Sequence, residues 1–291
     1  MMLRTRQEKW MDRVNNIILL LIALSMLFPF LYIFAVSFSS FEDVIRSDFI
    51  LWPKHWVTDA YEYLLGSSRF FQSFFVTVYI TVVGTIVNLF FTATMAYGLS
   101  RPIYGQRTLL YMVVLTFLFN AGLIPTYMIV KATGLINSLW SLIIPAAISP
   151  FNLIVMRQFF MNIPEELHEA ATIDGANALQ IFWKIILPLS KPALAAFSLF
   201  YAVGHWNSYF SAIIYINDPA KWPLQVMLRQ IVIVDEAQAA LQGGEQLLVN
   251  PPPSETIQMA AILLATLPIL CVYPFLQKYF VKGMTLGSLK E

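Results

Sequence analysis

Val14-Asn15-Asn16-Ile17-Ile18-Leu19-Leu20-Leu21-Ile22-Ala23-Leu24-Ser25-Met26-Leu27-Phe28-Pro29-Phe30-Leu31-Tyr32-Ile33-Phe34-Ala35-Val36-Ser37-Phe38 contains no charged residue. A helix crossing the hydrocarbon of a bilayer needs about 20 predominantly apolar residues, and this run supplies them. It follows Arg4, Arg6, Lys9 and Arg13, a basic start that a signal peptide would share. The run is longer than the roughly 7–15 residues of a cleaved hydrophobic region. It therefore reads as a retained first span, with Ala35-Val36-Ser37 leaving cleavage as the alternative.

Five further uncharged runs follow, at about Phe70–Leu99, Leu109–Val130, Leu139–Met156, Pro192–Ile216 and Ile257–Gln277. The expected fold class is all-α, a polytopic membrane protein with six transmembrane helices. Pro29, Pro125, Pro145, Pro268 and Pro274 fall in the runs and predict kinks or broken helices, which membrane spans tolerate when neighbours satisfy the freed carbonyls. The whole composition agrees: 58% of the 291 residues are hydrophobic and only 12% charged, against about 25% charged in soluble domains. Disorder, a disulfide scaffold and an ordinary soluble domain are excluded or disfavoured. The net charge of +1, with no dense basic patch, makes nucleic acid an unsuitable partner. His55, His168, His205 and the lone Cys271 are too scattered for a metal site.

Orientation follows from the loops. With the N-terminus inside, the inner segments hold 12 basic residues (Arg4, Arg6, Lys9, Arg13, Arg101, Arg107, Arg157, Lys184, Lys191, Lys278, Lys282, Lys290). The outer segments hold 6 (Arg46, Lys54, Arg69, Lys131, Lys221, Arg229). The positive-inside rule then places both termini in the cytoplasm. The chain divides into a cytoplasmic segment 1–13, a transmembrane domain 14–281 and a cytoplasmic tail 282–291. Long outward loops lie at about 39–69 and 217–256, and a long inward loop at about 157–191. Trp52, Trp56 and Trp222 suit the interfacial aromatic belt. No internal repeat is visible, which weakens the case for an inverted-repeat secondary transporter.

The inward loop reads as two short helices. Asn162 is a candidate cap, with Glu165 completing a box and Pro164 in the first turn. Glu165 and Glu166 complement the helix dipole, Leu167, Ala170 and Ala171 form an apolar stripe, and Gly175 supplies a left-handed stop. A second helix is capped by Asn177 with Gln180, carries Ile181, Phe182, Ile185 and Ile186, and stops at Leu187-Pro188. Such a knob can rest one side on the bundle and offer another to a partner. A passive interfacial hairpin would fit the same pattern.

Glu169-Ala170-Ala171, Gly175, Ile185 and Leu187-Pro188 match the pattern EAA-x3-G-x9-I-x-LP at every fixed position. The chain thereby resembles the permeases of ABC importers, and Asp174-Gly175-Ala176, Phe182 and Pro192 resemble their carbohydrate branch, similar to the smaller permease of the maltose transporter. Asn120-Ala121-Gly122-Leu123-Ile124-Pro125-Thr126-Tyr127, His205-Trp206-Asn207 and Pro223-Leu224-Gln225 look like oligosaccharide and polysaccharide permeases within that branch. The resemblance implies a type I ABC importer permease fold in a bacterial or archaeal cytoplasmic membrane. It implies a second homologous permease, two ABC ATPase subunits and an extracytoplasmic solute-binding protein as partners, with a saccharide as cargo. Glu169, Ala170, Ala171, Asp174, Gly175, Leu187 and Pro188 would then belong to an ATPase-coupling loop. No Walker A sequence is present, so no catalytic residue is expected, and ATP and Mg would sit on the partner ATPase. Lys282-Gly283-Met284-Thr285 resembles the family's tail, which can insert between the ATPase subunits.

Polar groups inside the spans are the candidates for a translocation path: Asn120, Tyr127, His205, Trp206, Asn207 and Tyr209, with Asn88 and Asn152 beside them. Sugars offer hydroxyls for hydrogen bonds and flat C–H faces for stacking, needs that amides and aromatic rings meet. The same residues can equally glue helices together. Helix packing is the stronger expectation for Asn88, Asn152 and His205. No acidic or basic residue lies deep in a span, which argues against ion coupling. A secondary transporter or a membrane scaffold without ATPase coupling remains the alternative function.

Overall fold

The computed structural model describes residues 6–46, 49–231 and 253–287, with side-chain placement between 10 and 274 in those ranges except at Phe41. Among the described residues every extended element is helical, apart from one antiparallel bridge between Ser39 and Trp56. Three helices are long and apolar enough to cross a membrane alone: α1 (Arg6–Ser37), α4 (Ser68–Ser100) and α14 (Ser254–Gly287). Up to six spans result when each sharply bent helix pair counts as one, the third pair being Ala178–Leu189 with Lys191–Trp206 at 82°.

The chain divides into two compact units, residues 1–68 with 228–267, and residues 69–227 with 268–291. In the first, the end of α1 is held by a hook of following chain. Short helices α2 (Phe41–Arg46) and α3 (Asp59–Gly66) flank it. Val44 and Ile50 pack on Tyr32, Ala35, Val36 and Met259, and Phe49 stacks over both Phe28 and Tyr32. Inside the hook, buried Asp43 accepts the His55 backbone N–H at 2.9 Å and faces the imidazole at 3.3 Å. Burial raises the affinity of this carboxyl for its proton, but the hydrogen bonds from His55 and Ser40 outweigh it, so the Asp43 pKa lies below the usual carboxylate value. The Tyr61 phenol, half-buried and donating to Ser37 Oγ at 2.8 Å, has its pKa raised by burial.

In the second unit, α4 buries one face made of Phe70, Ser73, Thr77, Ile80, Gly84, Asn88, Thr92, Ala93, Ala96 and Leu99, a three-to-four-residue recurrence that keeps small and polar side chains in one stripe. The third apolar run is split into α5 (Gln106–Leu118) and α6 (Leu123–Ala132), bent by 120°. The fourth run begins as two 3-10 turns (Leu139–Leu142 and Ile144–Ala146), and α7 (Pro150–Met161) follows at 51°. Ser149 caps α7, and Pro150 sits where a missing N–H costs nothing.

Pro145 lies in the broken start of the fourth run, as expected. Pro29, Pro268 and Pro274 lie inside continuous helices. Pro125 sits in the first turn of α6, and the break comes before it, where Gly122 has φ +83°. The fifth run is also interrupted: α11 (Lys191–Trp206) ends at Asn207, and α12 (Phe210–Tyr215) resumes after Tyr209. At about 1.5 Å per residue, the 16 residues of α11 are shorter than the hydrocarbon thickness. Within the stretch 217–256, the last residues described before 253 form α13, residues 224–231.

Candidate functional site

The inward loop forms two helical pieces joined at a glycine. Helix α8 (Glu165–Ile173) ends where Gly175 turns with φ +81°, the conformation expected of it. The Ala176 N–H bonds the Ala171 carbonyl at 2.9 Å, closing the turn. Asn177 and Gln180 make the expected reciprocal box at 2.9 Å each way, starting α9 (Ala178–Ile181). A π-turn over Phe182–Ile186 and the single turn α10 (Leu187–Leu189) carry the chain to Ser190. The wide turn fits Pro188, which lacks an N–H for the Lys184 carbonyl and crowds it.

The start of α8 departs from expectation. Asn162 ends α7 rather than capping α8, and its amide oxygen accepts Gln158 Nε2 at 3.4 Å. Pro164 is the N-cap residue and has no side chain with which to bond the first turn. Glu165 is engaged elsewhere. Its carboxylate takes two hydrogen bonds from Arg101 Nη1, at 2.8 and 2.9 Å. The Arg101 guanidinium also lies 5.7 Å from the Tyr97 ring centroid. Beside it, Gln106 Nε2 and Arg157 Nε both donate to the Leu99 carbonyl at 2.7 Å, so the end of α4 is capped by two side chains.

The loop has two faces. Ala171, Ile181, Phe182 and Ile186 are buried in a cluster with Ala93, Ala96 and Leu99 of α4, Met156 and Phe160 of α7, and Phe197 of α11. Phe182 meets Tyr97 at 5.1 Å between ring centroids. The opposite face leaves Ile173, Leu179 and Trp183 exposed at 86, 70 and 57%, with Leu167 beside them. Glu169, Ala170, Asp174 and Gly175 are also exposed, whereas Ala171 is buried; Leu187 is half-buried and Pro188 exposed. Exposed apolar faces of this kind meet partner proteins or the membrane.

The residues proposed for a translocation path separate into distinct settings. His205 is buried, and its Nε2 lies 2.8 Å from Asn88 Oδ1; Asn88 Nδ2 donates to the Ala146 carbonyl. Gly84 makes this approach possible, because a Cβ there would stand 2.5 Å from His205 Nε2. One helical turn further along, the Thr92 and Tyr201 hydroxyls are 2.7 Å apart. Trp206 is buried, set edge-on to Phe74, and lines an apolar groove of about 240 Å³ with Val78, Thr81, Val203 and Pro268. That groove offers a ring to stack on but few partners for hydroxyls. Asn207 is exposed and donates to the Val203 carbonyl at 2.9 Å, terminating its own helix. Tyr127 and Tyr209 join one cluster, where Tyr127 stacks on Tyr215. Asn120 is exposed at the break before α6, its side chain accepting the Gly122 N–H at 2.8 Å.

Outside this group, Thr77 accepts the Leu224 N–H at 2.7 Å, and Asn137 (φ +61°) accepts the N–H groups of Asn217 and Asp218 while its carbonyl accepts Lys221 Nζ. Trp222 donates its indole N–H to the Ile216 carbonyl, and Trp52 and Trp56 are exposed. No group of three His, Cys, Asp or Glu converges as a metal site would require, among the described residues. The greater part of the second outer loop (232–252) and the side chains of the Lys282–Thr285 tail lie outside them.

Residues 8–286 match the family described as binding-protein-dependent transport system inner membrane component. The chain belongs to this family. A polygalacturonan/rhamnogalacturonan transport system permease protein of Bacillus subtilis (strain 168) is 51% identical over 275 residues, covering 94% of this chain and 95% of that one. In the crystal structure of a bacterial ABC transporter involved in the import of the acidic polysaccharide alginate, one chain superposes with a TM-score of 0.87 at 36% identity. The match covers 96% of this chain and 100% of that chain. A chain in a bacterial alginate ABC transporter complexed with an alginate pentasaccharide-bound periplasmic protein shares the fold, with a TM-score of 0.54 at 15% identity over 94% of this chain and 96% of that one. The fold is that of a type I ABC permease, and the chain is a membrane component of a transport system.

Proposed function

We propose that this chain is one of two permease subunits of an ATP-driven importer and carries a saccharide delivered by an extracytoplasmic solute-binding protein. The observation that carries the reading is the two-faced inward loop, with one side buried on α4, α7 and α11 and the other exposing Ile173, Leu179 and Trp183. An ABC ATPase subunit seated on the exposed side drives a rigid-body opening of the permease when it binds and hydrolyses ATP. Glu169 holds the docking helix to that subunit, Ala170 permits close approach, and Gly175 sets the turn. Ala171, Asp174, Leu187 and Pro188 complete the coupling loop. The permease spans 14–281, and segments 1–13 and 282–291 are cytoplasmic with ATP and Mg bound by the partner.

The similarity to a polygalacturonan/rhamnogalacturonan permease favours an acidic polysaccharide or its oligosaccharides as cargo. The second outer loop meets the binding protein, and Asn137 and Lys221 brace its root. Asn120 and Asn207, exposed at helix breaks, are the best placed of the path residues to meet sugar hydroxyls, with Tyr127, Trp206 and Tyr209 shaping the wall and His205 fixing it.

Gly175 is the residue on which to test coupling. A Cβ there meets nothing within 4 Å, so Gly175→Val strains only the backbone, by about 1–2 kcal/mol. The variant should insert normally but lose the ATPase on purification, or retain it with binding-protein-stimulated hydrolysis abolished. Glu169→Ala should act in the same direction more weakly. Parental transport by both variants, with the ATPase still bound, would end the coupling assignment.

A further inference from the structure

The loop's buried face explains why it stays folded, but apolar contacts can slide. The Arg101–Glu165 pair is different. It joins residues 64 apart in sequence through two short hydrogen bonds, between the end of α4 and the first turn of α8. Arg101 is well covered, with 19% of its side chain exposed against 65% for Glu165. The guanidinium lies against Tyr97, itself packed on Phe182 of the same loop. An exposed ion pair contributes little, but one whose arginine is fixed by a ring and by burial keeps a defined geometry.

We infer that Arg101 is a positioning residue for coupling, and that its grip on Glu165 makes α8 and the cytoplasmic end of α4 one rigid body. This rests on the ATPase-docking reading given above. A push on the exposed loop face then displaces α4 along its length instead of being absorbed at the α7–α8 joint. Helix α4 carries that displacement to the Thr92–Tyr201 and Asn88–His205 contacts with α11, next to the break at Asn207. Neither Arg101 nor Glu165 belongs to the EAA pattern.

The test uses the complete transporter with its ATPase and binding protein, in a Cys271→Ser background. Spin labels are placed at two exposed positions that the docking reading does not use, Thr172 on α8 and Tyr104 beyond α4. The distance between them should be the same in the nucleotide-free and vanadate-trapped states of the parent. In Arg101→Gln and in the exposed, fold-neutral Glu165→Gln it should broaden or shift on trapping. Uptake of oligogalacturonate per ATP hydrolysed should fall about fivefold in both, the low end of linkage between coupled sites, with the ATPase still bound. The exchanged pair Arg101→Glu with Glu165→Arg should recover part of the loss. A parental distance that changes on trapping, or single variants with parental uptake per ATP, would overturn the inference. A parental complex without bound ATPase would instead refute the docking reading, and is read separately from the distances.

Discussion

Helices α1 and α4 are almost equal in length, 32 and 33 residues, and both pass easily as membrane spans, yet they use their surfaces differently. The most apolar window of α1 has a hydropathy of 2.7 and no buried residue; that of α4 has 2.1 and 22% buried. Between Ile17 and Val36 the polar side chains of α1 are Ser25 and Tyr32, and Ser25 turns back to the Ile22 carbonyl at 2.8 Å. Helix α4 places Ser73, Thr77, Gly84, Asn88 and Thr92 along one stripe, and its partners lie on the turn at Ala146, on α11 and on α13. Hydropathy therefore selects the bilayer, while small and polar residues in helical register select protein neighbours.

The largest expected effect that would break this contrast lies at Gly84. A valine there must displace the His205 ring, which costs about 1–3 kcal/mol in overpacking before the Asn88 hydrogen bond is counted. Gly84→Val should lower the thermal midpoint of the purified complex sharply, while Leu24→Val on exposed α1 should change the stability of this chain by no more than about 0.5 kcal/mol. Equal midpoints for the two variants would mean that α4 and α11 do not approach as described.

A smaller effect sharpens the same contrast. Asn88→Leu and His205→Leu each leave a polar partner in an apolar setting. Their double-mutant cycle, followed by unfolding in mixed detergent, should give a coupling of about 0.6–1.7 kcal/mol, the range for hydrogen bonds between membrane helices. Leucine at both positions should be less damaging than the two single losses added together. A coupling of zero would show that the imidazole and amide merely stand close.

These contacts mark the limit of what was legible in the sequence. The six apolar runs, the Gly175 turn and the Asn177–Gln180 box all depend on residues within a few positions of one another, and local chemistry dictates them. Asn162 reads in sequence as a helix start because Glu165 lies at capping distance, whereas that carboxylate is taken by an arginine 64 residues earlier. Asn88 and His205 are 117 residues apart, and only the folded register shows that Gly84 clears the space between them. Of the prolines, Pro145 falls in the broken start of the fourth run, Pro29, Pro268 and Pro274 stay within continuous helices, and the sharpest bend comes where Gly122 takes a positive φ.

The smallest effect concerns where α1 is held at all, at the hook that follows it. The Asp43 carboxylate accepts the His55 N–H and faces the imidazole, and its pKa lies below the ordinary value of 3.8. A depressed carboxylate pKa contributes stability that is present above the unfolded-state value and is lost as pH falls through the folded one. The hook should therefore hold unchanged from neutral pH down to about 4 and loosen only below that, as Asp43 is protonated. Hydrogen exchange of the peptide around His55, corrected for the intrinsic pH dependence of exchange, should show protection falling in this acid range. Asp43→Asn should show reduced protection already at neutral pH and a flat profile through the acid range. The exposed middle of α1 should not respond in either protein, because its hydrogen bonds are internal to the helix. Acid-dependent exchange along α1 itself, or an unchanged profile in Asp43→Asn, would show that the hook is held by its aromatic stacks on Phe28 and Tyr32 and not by the carboxylate.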